Sequence, residues 1–276
     1  MTIHFNGVSF RYGGDEAWVI RDVYFTIHPG ERIAIVGLNG SGKSTLGLLM
    51  NGLLSPTSGD VFVFGRNTRS LSDLAAIRRK VGFVFQNPDQ QLIANTVEDD
   101  VAFGLENLGI CPSEQERRIE YVLRSLRLDT LKQLDPNDLT SGQKQKLAVA
   151  GVIAMEPDVI VFDEAMSMLS PRDAEELNQI MTAFHKQGLT VVQITHDMEE
   201  LYDCDRVIVL KEGAMLLDGP TSLVFSNRGI WKESGLLPPF AVRVREALRD
   251  RGISFLEDAY TEDDLVRRIC GYISKT

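Results

Sequence analysis

The chain has 276 residues, of which 43% are hydrophobic and 25% are charged, so it can form one large globular domain with a small appendage. Its net charge of −10 argues against a nucleic-acid-binding protein, because the surfaces of such proteins carry basic stripes. The net charge does not describe local basic patches, but on this ground we expect no nucleic-acid partner. No run approaches the ~18 apolar residues of a membrane span, and the first residues lack a secretion-signal pattern, which predicts a cytosolic chain. Cys111, Cys204 and Cys270 are far apart, which indicates reduced thiols.

Two segments near the N-terminus predict a small antiparallel β layer. Residues 3–12 partly alternate apolar and polar side chains, and residues 18–27 follow a similar pattern before a turn at 28–30. Tyr12 ends the first segment, where it is either a core aromatic or a platform exposed for stacking on a base. Taken alone, the pattern favours the core position.

The next segment, residues 37–45, lies between the buried run 33–36 and a helix-like stretch, 46–53. A strand that leads through a glycine turn into a helix directs backbone N–H groups and the helix dipole at one anion. Lys43 can then reach the β and γ phosphates of a nucleotide, and the Ser44 hydroxyl can ligate Mg²⁺. The alternative is a turn that only links strand to helix. It is disfavoured because the segment fills every fixed position of the phosphate-binding loop pattern. The predicted nucleotide-binding residues are Gly37, Asn39, Gly40, Ser41, Gly42, Lys43, Ser44 and Thr45.

Beyond this loop the sequence predicts a turn, a strand at 60–64, a helix at 74–80 and a buried strand at 81–85. Gln86 follows that strand. Ligands of open α/β sheets bind at the carboxyl ends of strands, so the Gln86 amide is a candidate partner for Mg²⁺ or an attacking water. Taken alone, a polar loop residue is the simpler interpretation.

The pattern then changes to helices between residues 96 and 155. Apolar residues recur at helical spacing, separated by charge runs such as 114–118 that indicate a solvated face. Strand-type runs resume only at Val159. We therefore predict a helical subdomain, at about residues 88–155, inserted into the α/β core.

Two further buried strands end in polar residues. Residues 159–162 lead into Asp163 and Glu164, which predicts a carboxylate for Mg²⁺ and a carboxylate that polarises an attacking water. The alternative is that both acids cap the helix that begins near Pro171. Residues 190–195 lead into His196, which is either structural or in position to contact a γ-phosphate.

A second candidate phosphate contact lies at residues 139–143, before a helix that runs to residue 155. Thr140 or Ser141 could be an ordinary N-cap. Alternatively, Thr140, Ser141, Gly142 and Gln143 face a nucleotide bound by another chain, because this chain's own phosphate loop already pairs with the sheet.

These motifs, in this order, resemble the nucleotide-binding subunits of ABC transporters over nearly the first 225 residues. The resemblance implies a P-loop NTPase fold with a RecA-like α/β core, and ATP with Mg²⁺ as cofactors. It further implies that Tyr12 stacks on adenine, Gln86 joins Mg²⁺ and the membrane partner, Glu164 is the general base and His196 senses the γ-phosphate. The segment from Thr140 to Gln143 would be the signature that closes over ATP on the opposite subunit of a head-to-tail dimer.

Finer features, at residues 86–91, 142–146 and 167–169, resemble the ATPase subunits of energy-coupling factor importers. In that family two ATPase subunits, often non-identical, drive a transmembrane scaffold subunit joined to a substrate-capturing membrane subunit. The resemblance implies uptake of a vitamin, cobalt or nickel, and a peripheral position on the cytoplasmic face of the cell membrane. The alternatives are another ABC transporter, a soluble ABC ATPase acting on nucleic acid or ribosomes, or a switch that does not hydrolyse ATP.

The sequence departs from the family pattern at two places. The usual signature reads Leu-Ser-Gly-Gly-Gln, whereas this chain has Thr140 for serine and Ser141 for the first glycine. Ser170 stands where the family usually has aspartate. Both changes face the partner, so we expect an asymmetric heterodimer in which one ATP site is slower.

The last part of the chain predicts a separate helical module. Pro238 and Pro239 break the chain, one amphipathic helix runs from residue 240 to Gly252, and a second begins near Thr261. We therefore divide the chain into an ATPase domain, 1–225, and a C-terminal module, 226–276. The module either packs on its own core or pairs with the other ATPase subunit.

Overall fold

The computed structural model describes residues 1–14, 17–253, 256 and 259–274. An antiparallel sheet has the strand order β2-β1-β4-β5. Its strands are β1 (Ile3–Phe10), β2 (Ile20–Ile27), β4 (Ser58–Val63) and β5 (Arg66–Asn67). The predicted β layer is thus confirmed, although each of the three predicted strands differs by up to two residues at its ends and β5 was not predicted.

The second sheet has the order β10-β9-β3-β8-β7-β6, and all its strands are parallel except β10. The strands are β3 (Arg32–Val36), β6 (Val81–Val84), β7 (Val159–Asp163), β8 (Thr190–Thr195), β9 (Arg206–Lys211) and β10 (Ala214–Pro220). Continuous apolar runs with both faces covered form such strands. The register pairs Val36 with Thr195 and Asp163 with Ile194, so the segments that follow β3, β7 and β8 leave the sheet at one edge.

Helices cover both faces of this sheet. They are α1 (Lys43–Met50), α2 (Leu74–Lys80), α3 (Val97–Asn107), α4 (Pro112–Ser125), α5 (Ser141–Ala154), α6 (Pro171–Lys186), α7 (Thr221–Ser226), α8 (Arg228–Ser234), α9 (Phe240–Arg249) and α10 (Glu262–Ile273). The predicted bounds of the first helix, 46–53, were wrong by three residues at each end. The helix α1 begins at Lys43, after its N-cap Gly42, and ends at Met50. Among the described residues, no helix is long and apolar enough to cross a membrane.

The segment from α3 to α5 lies between β6 and β7 in the chain and is helical, as predicted. Its stripe of Val97, Val101 and Leu105 is fully buried. These residues share one apolar cluster with Ile160 and Val191 of the sheet. The helical segment is therefore anchored on the strands that carry the site.

The C-terminal helices also pack on the sheet. Val242 of α9 belongs to one buried cluster with Phe225, Leu236 and Val209 of β9. A second, smaller cluster joins α9 to Leu265 of α10. The apolar core is thus continuous across residue 226, while α10 packs on α9.

A buried guanidinium connects β3 to α6. Arg32 has no exposed surface, and its guanidinium donates to Thr182 Oγ1 at 2.8 Å and to Asn178 Oδ1 at 2.6 Å. Gln193 Oε1 of β8 lies 3.3 Å away and Asp203 lies 3.8 Å away. A buried charge with this many acceptors fixes the distance between helix and sheet.

We predict that Arg32→Met lowers the free energy of unfolding by about 3 kcal/mol, because it leaves several buried acceptors without their donor. Arg21 is exposed on β2, and Arg21→Met is the matched control, with an expected change within about 0.5 kcal/mol. Urea denaturation midpoints measure both. Equal midpoints for the two variants would contradict the assigned role of Arg32.

Candidate nucleotide site

The loop between β3 and α1 has the shape of an anion cradle. Gly42, the N-cap of α1, has a φ of 101°, a left-handed conformation that favours glycine. A Cβ at this position would lie 2.6 Å from Ile20 Cδ1 and 2.8 Å from the Val19 carbonyl oxygen. The loop is therefore held against β2 while the first N–H groups of α1 face the loop interior.

Lys43 supplies the positive charge of the loop. Its side chain is buried, and Nζ donates to the Gly37 carbonyl at 2.8 Å and the Leu38 carbonyl at 3.2 Å. Glu164 Oε1 lies 3.6 Å from Nζ. Burial lowers the pKa of Lys43, and the neighbouring Glu164 carboxylate opposes this shift. An incoming phosphate would replace neutral carbonyls with a charged acceptor.

The Ser44 hydroxyl donates to Asp163 Oδ1 at 2.9 Å, although the residues are 119 positions apart. Asp163 is only 8% exposed, and burial raises its pKa, while the Ser44 hydrogen bond opposes this. Two of the three predicted Mg²⁺ ligands are thus adjacent. They are hard oxygen donors, the type Mg²⁺ prefers.

Glu164 is the point at which the polar residues of the sheet edge meet. Its Oε1 lies 3.3 Å from His196 Nδ1. Its Oε2 accepts from Gln86 Nε2 at 3.2 Å. The backbone of Glu164 has a φ of 49°, which is uncommon for a residue with a side chain and is often found at functional sites.

The fold brings Gln86 to the glutamate, and Gln86 donates to Glu164 and, at 3.3 Å, to Ser167 Oγ. Ser167 was not predicted as a site residue. Its hydroxyl donates to the Glu164 carbonyl at 2.8 Å and closes the turn after β7. The only sequence signal for this role is its spacing of three residues from Glu164.

Tyr12 lies beyond the end of β1 and is 58% exposed. Its ring packs edge-on against Phe10 with centroids 4.9 Å apart, and its hydroxyl lies 3.1 Å from Thr45 Oγ1. The core position favoured by pattern alone was therefore wrong. An exposed ring fixed beside the first turn of α1 can act as a stacking platform.

Two other loop residues have different surroundings. Asn39 is exposed, and Ser41 is buried. Within the described residues Ser41 Oγ has no hydrogen-bond partner. A Cβ on Gly37 would lie 2.5 Å from this oxygen, so Gly37 permits the close approach of Ser41.

The segment from Thr140 to Gln143 begins α5. Thr140 is the N-cap, and its hydroxyl accepts from the Gln143 N–H at 3.3 Å while the Thr140 N–H donates to Gln143 Oε1 at 2.9 Å. This capping box accounts structurally for both residues. Ser141 is exposed, and Gly142 lies against Asp173, whose carboxylate carbon is 2.6 Å from a Cβ built on Gly142. Across the described chain, no hydrogen bond or ion pair joins residues 140–143 to Lys43 or Glu164.

Comparison with known proteins agrees with this arrangement. The profile of the ABC transporter family matches residues 20–167. A second profile, the C-terminal domain of the energy-coupling factor transporter EcfA1, matches residues 239–276.

Two similar proteins are the energy-coupling factor transporter ATP-binding proteins EcfA1 of Halalkalibacterium halodurans and Geobacillus kaustophilus. The first is 41% identical over 97% of this chain and 96% of its own length. The second is 42% identical over 98% of this chain and 96% of its own length.

Two solved structures are also similar. One is cbiO1 from Clostridium perfringens, described as part of the ABC transporter complex cbiONQ, with a TM-score of 0.76, 33% identity and coverage of 88% of this chain and 98% of that one. The other is the ATP-binding cassette MJ0796 in a dimeric post-hydrolysis state bound to ADP and Pi, with a TM-score of 0.71, 28% identity and coverage of 80% and 99%. The chain therefore belongs to the ABC transporter family, in its group of energy-coupling factor transporter ATP-binding proteins.

Proposed function

We propose that the protein binds and hydrolyses ATP to energise an energy-coupling factor importer. The observation that carries this proposal is the single carboxylate of Glu164, which lies within 3.6 Å of Lys43, 3.3 Å of His196 and 3.2 Å of Gln86. The phosphate cradle, the candidate base and the candidate sensor therefore meet around one carboxylate, through two ion-pair contacts and one hydrogen bond. A binding protein without hydrolysis has no need of a base beside the γ-phosphate.

The residues support the following roles. Lys43 exchanges the Gly37 and Leu38 carbonyls for the β and γ phosphates, and the N–H groups at the start of α1 hold the same anion. Glu164 orients a water for in-line attack, and His196 donates to the γ-phosphate. Tyr12 stacks on adenine.

A magnesium ion fits the Ser44 and Asp163 oxygens. The described residues contain no group of three or more His, Cys, Asp or Glu side chains that could hold a metal, so its other ligands would come from the nucleotide, from water and from Gln86. When bound, the ion neutralises charge on the phosphates. Ser44 and Asp163 contribute by fixing two ligand directions.

A second ATPase subunit would complete the site. Ser141 is exposed at the start of α5, where a partner's nucleotide can approach the free N–H groups of the first turn. We infer a head-to-tail dimer in which the segment from Thr140 to Gln143 covers the nucleotide of the partner. Ser141 and Ser170 depart from the family pattern, which supports a non-identical partner and one slower site. Equal turnover at both sites of a dimer of this chain alone would contradict that asymmetry.

A cavity of about 390 Å³ between α2, α3 and α5 is the proposed contact for the transmembrane scaffold subunit. Ile93 and Phe103 are exposed at its edge. Gln91 lines it, accepts from the Phe85 N–H at 3.3 Å and donates to the Ala148 carbonyl at 3.2 Å. Movement of a scaffold segment bound in this cavity would therefore be transmitted through Gln91 to Phe85, the residue before Gln86.

This assembly defines the rest of the proposal. The ATPase would lie on the cytoplasmic face of the cell membrane, bound to the scaffold subunit and through it to a substrate-capturing subunit. The cargo would be a vitamin or a transition-metal ion. The alternative of a soluble ATPase acting on nucleic acid or ribosomes conflicts with the net charge of −10.

We predict that Glu164→Gln lowers ATP turnover by about 100-fold or more and changes ATP affinity less than about threefold, because the amide cannot act as a base. Glu116→Gln, on the exposed face of α4, is the control and should leave both quantities unchanged. Phosphate release and equilibrium ATP binding are measured on the assembled complex. Parent-like turnover in Glu164→Gln would show that Glu164 is not the general base.

The C-terminal helices offer a test of the dimer. Val266 on α10 is 61% exposed, whereas its neighbour Leu265, which packs towards α9, is 5% exposed. We expect Val266→Asp to reduce the dimer fraction by about tenfold if α10 pairs with the other ATPase subunit. Leu71→Asp, at an 85% exposed loop position, is the control. Unchanged dimer content in sedimentation experiments on Val266→Asp would instead mean that the module packs only on its own chain.

A further inference from the structure

Residues 235–240, the connecting segment, lead from α8 to the C-terminal helices. The segment starts at Gly235, which has a φ of 73° and ends α8, and it finishes at Phe240, the first residue of α9. Leu236 is buried in the core beside β9, while Leu237 and Phe240 are exposed. One end of this segment contacts the phosphate loop, and the other contacts the 3₁₀ turn that follows His196.

The first contact is with the phosphate loop. A Cβ on Gly235 would lie 3.0 Å from Leu38 Cδ1, so the backbone of Gly235 rests against that side chain. The carbonyl of Leu38 accepts from Lys43 Nζ at 3.2 Å. A phosphate that takes over Lys43 would release this carbonyl, and the change would reach Gly235 through the Leu38 side chain.

The second contact is with the segment that follows His196. Pro239 is the N-cap of α9 and has no side-chain cap to offer. The Glu199 side chain takes the place of an N-cap side chain, because its Oε1 accepts from the Phe240 N–H at 2.7 Å. Glu199 lies in the short 3₁₀ turn Met198–Leu201, and its own N–H donates at 2.9 Å to Asp197, the residue after His196. Glu199, which caps α9, is therefore only three positions after the candidate γ-phosphate sensor, His196.

We propose that the connecting segment transmits the nucleotide state to α9 and α10. ATP would act at both of its ends, at one by drawing Lys43 away from Leu38 and at the other by engaging His196. Because α9 is capped by Glu199 and not by its own N-cap residue, Pro239, a shift of the 3₁₀ turn moves the start of α9. Since α10 packs on α9 through Leu265, the movement reaches the C-terminal pair. This inference rests on the proposed function, since it requires ATP in the cradle.

Cys270 on α10 provides the probe. It is exposed, as is Cys111, whereas Cys204 is buried. With Cys111 replaced by serine, a fluorophore on Cys270 of the full chain should change its emission when MgATP is added. ATP binding is measured separately on the same samples by equilibrium dialysis.

Glu199→Ala should reduce the ATP-dependent change at Cys270 to roughly half or less, because α9 loses its cap. Glu199→Gln keeps an acceptor oxygen and should restore most of the response. Glu233→Gln, at an exposed position of α8, is the control and should respond like the parent. Equal responses in Glu199→Ala and Glu233→Gln would overturn the proposed route through the cap.

A pair of glycines tests the other end. Gly235→Ala and Gly252→Ala both place a side chain on a left-handed residue, with φ values of 73° and 82°. A Cβ meets Leu38 at Gly235, whereas at Gly252 it meets no heavy atom of the described residues within 4 Å. We expect only Gly235→Ala to alter the Cys270 response, by roughly twofold or more. If the parent binds ATP and Cys270 does not respond, the inference fails and the proposed function stands. If the parent does not bind ATP, the proposed function fails first.

Discussion

The carboxylate of Glu164 is the interaction on which the site depends, because it joins residues from four chain segments. It lies beside Lys43 of the phosphate loop, Gln86 after β6 and His196 after β8, and it follows β7 itself. The parallel sheet makes this possible, since the carboxyl ends of its strands meet at one edge. The left-handed backbone of Glu164 directs its side chain to that meeting point at a conformational cost that the surrounding contacts offset.

Burial gives the site its electrostatic character. Lys43 and Asp163 are both removed from water, and burial shifts their pKa values in the directions that weaken each charge. A neighbour opposes each of these pKa shifts and so helps to keep the group charged: the Glu164 carboxylate for Lys43 and the Ser44 hydrogen bond for Asp163. A triphosphate with its cation would meet prearranged partners of opposite charge in a dry setting, where electrostatic interactions are strongest.

Much of this architecture could be predicted from the sequence. The strands β7 and β8 are mostly apolar segments followed by polar residues; the bounds of β8 were predicted correctly and those of β7 to within one residue. The elements between residues 206 and 234 were not predicted, because β10 lacks a clear alternation and α7 has only six residues. The hydrogen bond from Ser44 to Asp163 spans 119 positions, and no local pattern reveals such a pair. The exposure of Tyr12 likewise depends on where β1 ends, at Phe10, which periodicity placed two residues too late.

The loop that begins at Gly37 must bind the phosphates of ATP, and ATP binding and hydrolysis there must drive movement of a membrane partner. The most direct measurement compares ATP affinity, ATP hydrolysis and substrate uptake by the reconstituted complex carrying either Lys43→Ala or the exposed control Lys232→Ala. The account predicts that Lys43→Ala lowers hydrolysis and uptake together by about 100-fold or more and weakens ATP binding, while Lys232→Ala matches the parent. Parent-like binding, hydrolysis and uptake in Lys43→Ala would contradict it.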